Sequence, residues 1–340
     1  MNSFDKKLWF EMIQGRALLS AQKLFGSFHS PQTISKLKLK PSREKAVLTW
    51  EMKIPGKPSF ELIAKRGEID EARFENLLYT TILPRLGLGS LRCFGIVEEL
   101  DNRFAWLFLE HAGHCRYNPT IREHLNLAVE WLSILHGSQL ELELKDYFRK
   151  CGDEHYAASL RTARTLVEGG IINPVLSPSQ QEILHRALHL LDKLEMKWPV
   201  VENICSAVPR CLIHGDFLGK NLRVESNGSK YQLKVFDWEA ACWGLPFLDL
   251  AESLIPTSGG QSPEFDMDSY ISNSQHWWPN IEKKSLKGLI GLGKIFWSLD
   301  CLRGHAEGLQ FEWVDNIIEN IHIYLQVFEE GLNEVSTLNL

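Results

Sequence analysis

The sequence predicts an α+β fold of two lobes, a small antiparallel sheet over residues 1–111 and a larger helical lobe over 112–340. Three observations carry this. Short strand-like runs separated by turn signals occupy the first 110 positions and enclose one helix. From about Asn118 the apolar spacing becomes mainly helical. At 340 residues the chain is also long enough for two packed units.

Taken in order, residues 3–27 space Phe4, Leu8, Trp9 and Met12 as an amphipathic helix, with Ser3 as its N-cap. Strands are expected near 35–40, 46–54 and 59–65, the last two joined by a turn from Pro55 to Pro58. A helix then runs from Asp70 to Leu83, and Pro84 stops it. Strands near 92–98 and 104–110 follow, with Asp101 and Asn102 at the turn. Residues 120–137 read as a strongly periodic helix ending at Gly137. Ser177-Pro178-Ser179-Gln180 is a helix start, with an N-cap, a proline in the first turn and a capping glutamine. Short strands and turns return between Arg210 and Asp237, and the chain is helical again from Phe247 to about Leu332.

Composition sets the outer limits. Apolar residues are 44% and charged residues 24%, ordinary for a globular protein, and a net charge of −6 offers no nucleic-acid partner. Seven scattered cysteines without a C-x-x-C pair suit reduced thiols in a cytosol. The charged start at Asp5-Lys6-Lys7 does not read as an export signal, and no 18-residue apolar run suggests a membrane span. The expectation is a soluble, cytoplasmic protein.

The chemistry concentrates in Cys211-Leu-Ile-His-Gly-Asp-Phe-Leu-Gly-Lys-Asn-Leu-Arg-Val224 and in Lys234-Val-Phe-Asp-Trp-Glu239. Phosphoryl transfer needs a carboxylate to orient the attacking hydroxyl, oxygen ligands for magnesium, and a cation on the phosphates. Asp216 and Asn221, five positions apart, give the first carboxylate and one metal ligand from a single loop. Asp237, at the end of the apolar strand 233–236, gives a second hard oxygen ligand. In the small lobe, Phe60 to Lys65 alternates as a strand and puts Ile63 and Lys65 on one face.

His214-Gly215-Asp216, Asn221 and Asp237-Trp238-Glu239, continued by Gly244, Pro246 and Asp249, resemble the motifs of the aminoglycoside phosphotransferase and choline kinase superfamily. The likeness spans roughly 35–330 and is specific over about 205–252. It implies a bilobal, protein-kinase-like fold, ATP as the phosphate donor and Mg2+ as its metal. It implies a catalytic role for Asp216, and metal ligation by Asn221 and Asp237. His214 and Gly215 would shape the catalytic loop, and Asp249 would accept hydrogen bonds from it. Lys65 would meet the α and β phosphates, and Ile63 would line the adenine pocket. Glu75 would hold Lys65 in place, with Glu71 one turn earlier as the competing candidate. The backbone from Glu110 to Ala112 would hydrogen-bond adenine. The first hairpin has no glycine-rich loop, so Ser42 and Arg43 become the phosphate candidates there. Lys220 is left open between a phosphate contact and a solvated side chain.

Only twelve positions separate Asp237 from Asp249, too few for the activation loop and peptide platform of a protein kinase. The acceptor is therefore expected to be a small molecule bearing a hydroxyl. Residues 241–340 carry 14 acidic against 5 basic side chains, a net of −9, which leans toward a cationic, amino-sugar-like acceptor. Glu252, Asp266, Asp300 and Trp278 are its candidate contacts. The alternatives are a kinase for choline, ethanolamine, homoserine or a plain sugar, or a nucleotide-binding pseudokinase. Retention of Lys65, Asp216, Asn221 and Asp237 together speaks against the last.

Overall fold

A computed structural model describes residues 3–26, 33–40, 44–52, 58–138, 145, 147–227, 230–255 and 266–338. Ser42, Arg43 and most of the expected Pro55–Pro58 turn lie outside them. The chain forms two compact units. The first combines residues 1–116 with the returning segment Asn221–Glu239; the second combines Tyr117–Lys220 with Ala240–Leu340.

The first unit begins with α1 (Ser3–Phe25) and then builds an antiparallel sheet from β1 (Thr33–Lys40), β2 (Lys45–Met52), β3 (Phe60–Glu68), β4 (Cys93–Glu98) and β5 (Phe104–Glu110). The strand order is β1-β2-β3-β5-β4. Strand alternation sorts the side chains. Leu48 and Trp50, Leu62 and Ala64, and Trp106 and Phe108 share one face and bury it against Ile13, Ala17 and Ala21 of α1. Ile63 and Lys65 lie on the opposite face, paired in register with Leu109 and Leu107. Arg66 is the charged exception on the α1 side. Its guanidinium makes two bonds of 2.7 and 2.8 Å to Glu99, which also accepts from Arg16 of α1 at 2.7 Å and from the Trp106 indole at 2.8 Å. Burial of that guanidinium is tolerated because the Glu99 carboxylate accepts two of its bonds and the Glu44 carbonyl a third, at 2.5 Å.

Between β3 and β4 the helix is not uniform. It runs as α2 (Ile69–Leu77), widens into a π turn over Leu78–Ile82, and ends as α3 (Leu83–Arg85). The Leu83 N–H reaches back to the Leu78 carbonyl, the five-residue span of a π turn. The returning segment forms a hairpin of β8 (Leu222–Asn227) and β9 (Lys230–Val235).

The second unit is mainly helical. Its helix Arg122–His136 ends against Gly137, and Pro178–Met196 starts with the capping box anticipated at Ser177 and Gln180. A three-stranded sheet of β6 (Lys150–Cys151), β10 (Cys242–Gly244) and β7 (Cys211–Ile213), in that order, carries the loop that follows Ile213. The helix Lys283–Ala306 is packed against Asp315–Val335 where Gly291 and Gly331 meet. A Cβ on Gly331 would stand 2.5 Å from the Gly291 carbonyl oxygen, so only hydrogen fits there. No described helix is long and apolar enough to cross a membrane.

Candidate active site

In the first unit, β3 and α2 bring Lys65 and Glu75 together, with the Nζ 2.6 Å from the Glu75 carboxylate. Lys65 also donates to Asp237, and Glu239 stands 3.5 Å away. Burial works to lower the pKa of this ammonium. The carboxylates of Glu75, Asp237 and Glu239 outweigh it and hold Lys65 well above its ordinary value. Burial pushes Glu75 the other way, up to about 6, with Lys65 pulling it back and Asp237 and Glu239 adding to the rise. Asp237 sits just past β9 with φ of +69°, a left-handed backbone that asparagine and aspartate tolerate better than most residues. Its N–H donates to the Tyr79 hydroxyl at 3.3 Å. The π turn therefore has a visible consequence: Tyr79, its second residue, holds the backbone of Asp237.

Glu71 has a different partner from Glu75. It pairs with Lys45 at 2.7 Å, and Lys45 also reaches Glu239 at 3.2 Å. Of the two candidates for Lys65, the structure brings Glu75 to it. Lys45 and Glu239 are site residues that sequence reasoning missed. The signal for Lys45 was the alternation of β2, which puts it on the face shared with Lys65. For Glu239 it was the position two residues past Asp237 in the same motif.

A metal fits the end of the β8–β9 hairpin on chemical grounds. Asn221, buried, and Asp237 lie at the same end, tied by a 3.2 Å bond from the Phe236 N–H to the Asn221 carbonyl. Oxygens of Glu75, Asp237 and Glu239 all lie within 4.8 Å of one another. Glu75 and Glu239 face the Lys65 ammonium, so the amide of Asn221 and the carboxylate of Asp237 are the hard oxygen donors that could hold magnesium. Ile63 lies two residues before Lys65 on the same strand face, and Ala112 lies just past β5. Glu110 closes β5, its N–H donating to the Arg92 carbonyl at 2.9 Å and its carboxylate 3.6 Å from Lys234.

In the second unit the loop after β7 is held by carboxylates. Asp249, fully buried in the first turn of the helix Phe247–Leu254, accepts the N–H groups of His214 at 2.8 Å and Gly215 at 2.9 Å. His136 stands 3.2 Å from the same carboxylate and meets the Tyr270 hydroxyl at 2.8 Å through its other ring nitrogen. The His214 ring accepts the Asp216 N–H at 3.3 Å. Gly215 turns the chain with φ of +73°, where a Cβ would lie 2.6 Å from the Ala240 carbonyl oxygen. Phe217 then anchors the loop, stacked on Trp131 with ring centroids 5.5 Å apart. On the loop so held, the Asp216 carboxylate is part-exposed and paired with Lys220 at 2.8 Å.

The four candidate acceptor residues are scattered. Glu252 is buried, and its carboxylate accepts the Phe217 N–H at 2.5 Å. Burial first, then Asp249 and Asp216, push its pKa well up. Trp278 is only 7% exposed and packs on Trp277, an interior position. Asp266 is exposed and caps the helix Met267–Ser274 by accepting the Ser269 N–H at 3.0 Å. Asp300 is part-exposed and accepts from Ser159 at 2.6 Å and from His155 at 3.1 Å. Burial first, then Glu252, Asp300 and Asp216, raise the pKa of the Cys301 thiol.

Comparison with known proteins identifies the family and the fold. The model of a phosphotransferase enzyme family, APH, matches residues 99–276, more than half of the chain. Among solved structures, the GDP and kanamycin complex of APH(2″)-IIIa is 13% identical with a TM-score of 0.58, covering 93% of this chain and 97% of that one. Spectinomycin phosphotransferase APH(9)-Ia, in complex with ADP and spectinomycin, is 14% identical with a TM-score of 0.52, over 90% and 93%. An ethanolamine kinase from Plasmodium vivax is 13% identical with a TM-score of 0.53, over 88% and 81%. At these identities the likeness shows the bilobal, kinase-like α+β fold. No curated protein sequence matches the chain at a significant level.

Proposed function

The chain belongs to the phosphotransferase enzyme family, and we propose that it transfers the γ-phosphoryl group of ATP to a hydroxyl of a small, amine-bearing molecule. The observation that carries this reading is the Asp216 loop. A carboxylate left part-exposed on a backbone held by Asp249, Glu252 and His214 is preorganised to orient a hydroxyl.

In this reading Asp216 accepts the hydrogen bond of the attacking hydroxyl and takes up its proton as the new P–O bond forms and the bond from the γ-phosphorus to the bridging oxygen breaks, releasing ADP. Lys65, kept charged by its three carboxylate neighbours, binds the nucleotide phosphates. Ile63 packs on adenine, and the backbone from Glu110 to Ala112 hydrogen-bonds its edge. Magnesium, held by Asn221 and Asp237, would supply neutralising charge on the phosphate oxygens. Lys220 shields the Asp216 charge until the acceptor arrives.

The acceptor class rests on two supports. The last hundred residues carry a net charge of −9, and Asp300 is part-exposed among them. The relatives' names also refer to kanamycin, spectinomycin and ethanolamine, all amine-bearing alcohols. Of the four acceptor candidates, part-exposed Asp300 is the one we assign to a substrate ammonium. Magnesium-dependent ADP release against a panel of aminoglycosides, amino alcohols, sugars and nucleosides tests the proposal. One class should stimulate release. In Asp216→Asn that stimulation should fall by about 10²–10⁴-fold, with nucleotide affinity nearly unchanged. Loss of nucleotide binding in that variant, or stimulation by neutral sugars alone, would sink the corresponding part.

A further inference from the structure

Among the described residues, two clusters bring three metal-ligating side chains together, and only one of them involves Lys65. The other is Glu61, His111 and His114, whose ligand atoms all lie within 4.8 Å of one another. We propose that this cluster is a binding site for a borderline divalent ion of the zinc class.

The backbone explains why the three meet. Glu61 is on the Lys65 face of β3, and the His111 N–H continues the β3–β5 ladder by donating to the Glu61 carbonyl at 3.1 Å. His111 is thereby fixed opposite Glu61. Gly113, at φ of +94°, then bends the chain, and the His114 ring comes to lie 4.6 Å from the His111 ring, centroid to centroid. The Glu61 carboxylate stands 2.9 Å from His114 Nε2 and 3.4 Å from His111 Nδ1.

Those spacings suit a metal. Two ligands each about 2.1 Å from a tetrahedral ion stand about 3.4 Å apart, so only small rotations separate the present arrangement from a coordinating one. Two imidazoles and one carboxylate select zinc, cobalt, nickel or copper over magnesium, and three protein ligands leave a coordination position for water. His111 Nδ1 accepts the Gly113 N–H at 3.1 Å. An ion taking that lone pair would free the N–H and so act directly on the bend beyond β5. The site differs from the one assigned to magnesium in its residues and in its donor chemistry.

The test uses the full chain, freed of metal and saturated with magnesium, titrated with zinc by calorimetry. One saturable equivalent is expected. His114→Ala and Glu61→Gln should each weaken it by about tenfold or more. His114 is 79% exposed at its side chain, so its replacement leaves the fold intact. Cys115 is also exposed and adjacent, so Cys115→Ser is the control and should bind as the wild type does. Cobalt in place of zinc should show weak d–d bands without a thiolate charge-transfer band. The proposal is overturned by no zinc uptake beyond the magnesium-saturated state, by equal affinity in His114→Ala, or by loss in Cys115→Ser with a thiolate band.

Discussion

Lys65 places one positive charge among the carboxylates of Glu75, Asp237 and Glu239, and that imbalance governs what substitution there does. Lys65→Met leaves Glu75 buried without its partner, so it should cost about 3 kcal/mol or more at pH 8, measured by urea unfolding. Adding Glu75→Gln should recover most of that loss, since the stranded charge is then gone. The pH dependence has a definite sign. Glu75 titrates near 6 in the fold against an ordinary 4.5, so the native state holds its proton more tightly. Its contribution is fully present below 4.5 and is lost as pH rises through about 6. Glu75→Gln alone should therefore flatten the stability profile across that window; an unchanged slope would contradict the burial argument. The pairing of Lys65 with Glu75 was implied by the family resemblance, with Glu71 left beside it, whereas the contact of Lys65 with Asp237 depends on how the returning hairpin seats against β3. The roles of Lys45 and Glu252 were not legible in the sequence. The partners of Lys45 depend on sheet register, and the hydrogen bond from Phe217 to Glu252 depends on how one helix seats against a loop, neither of which a spacing reveals.

Elements follow the same logic one level up. The five strands of the first sheet were legible because alternation and turn residues are local signals, and their observed bounds differ from the expected ones by a few residues. The helix Asp153–Ile171 was not read from the sequence. It starts without a side-chain cap and runs through Gly169-Gly170, a pair that reads as a stop. Gly170 belongs there because Leu309 packs where its Cβ would be, at 2.7 Å. The π turn at Leu78–Ile82 was equally hidden, since nothing local distinguishes it from α-helix. Tertiary packing also decides the helix pair Lys283–Ala306 and Asp315–Val335. Gly331→Ala forces a methyl group to 2.5 Å from a carbonyl oxygen, and backbone atoms cannot rotate away as a side chain can. The expected cost is about 1–3 kcal/mol by thermal or urea unfolding, whereas exposed Gly304→Ala, with open space around it, should be neutral or mildly stabilising. Equal effects at the two glycines would show that the helices re-space freely.

For the molecule as a whole, the sequence order and the spatial units do not coincide. The segment Asn221–Glu239 leaves the second unit at Lys220 and joins the first, so Asp216 and Asp237 are twenty-one positions apart yet belong to different units. Charge is divided as well. Residues 241–340 carry −9 of a total of −6, which leaves the other 240 slightly positive. A field of that sign raises the local concentration of a cation and is screened over about 10 Å at 0.1 M salt. For an amine-bearing acceptor identified by the panel, KM should therefore rise as ionic strength goes from about 0.02 M to 0.5 M. At saturating acceptor, kcat should hold nearly constant, because the groups that act on the hydroxyl are in direct contact with it. Asp300→Asn should raise KM at low salt and lower its salt dependence, and its partners His155 and Ser159 keep a hydrogen-bonding oxygen at that position. A neutral hydroxyl acceptor should show neither effect. If KM for the cation were flat across the salt range in the wild type, the acidic surface would be solvation alone, and acceptor recognition would rest on uncharged contacts.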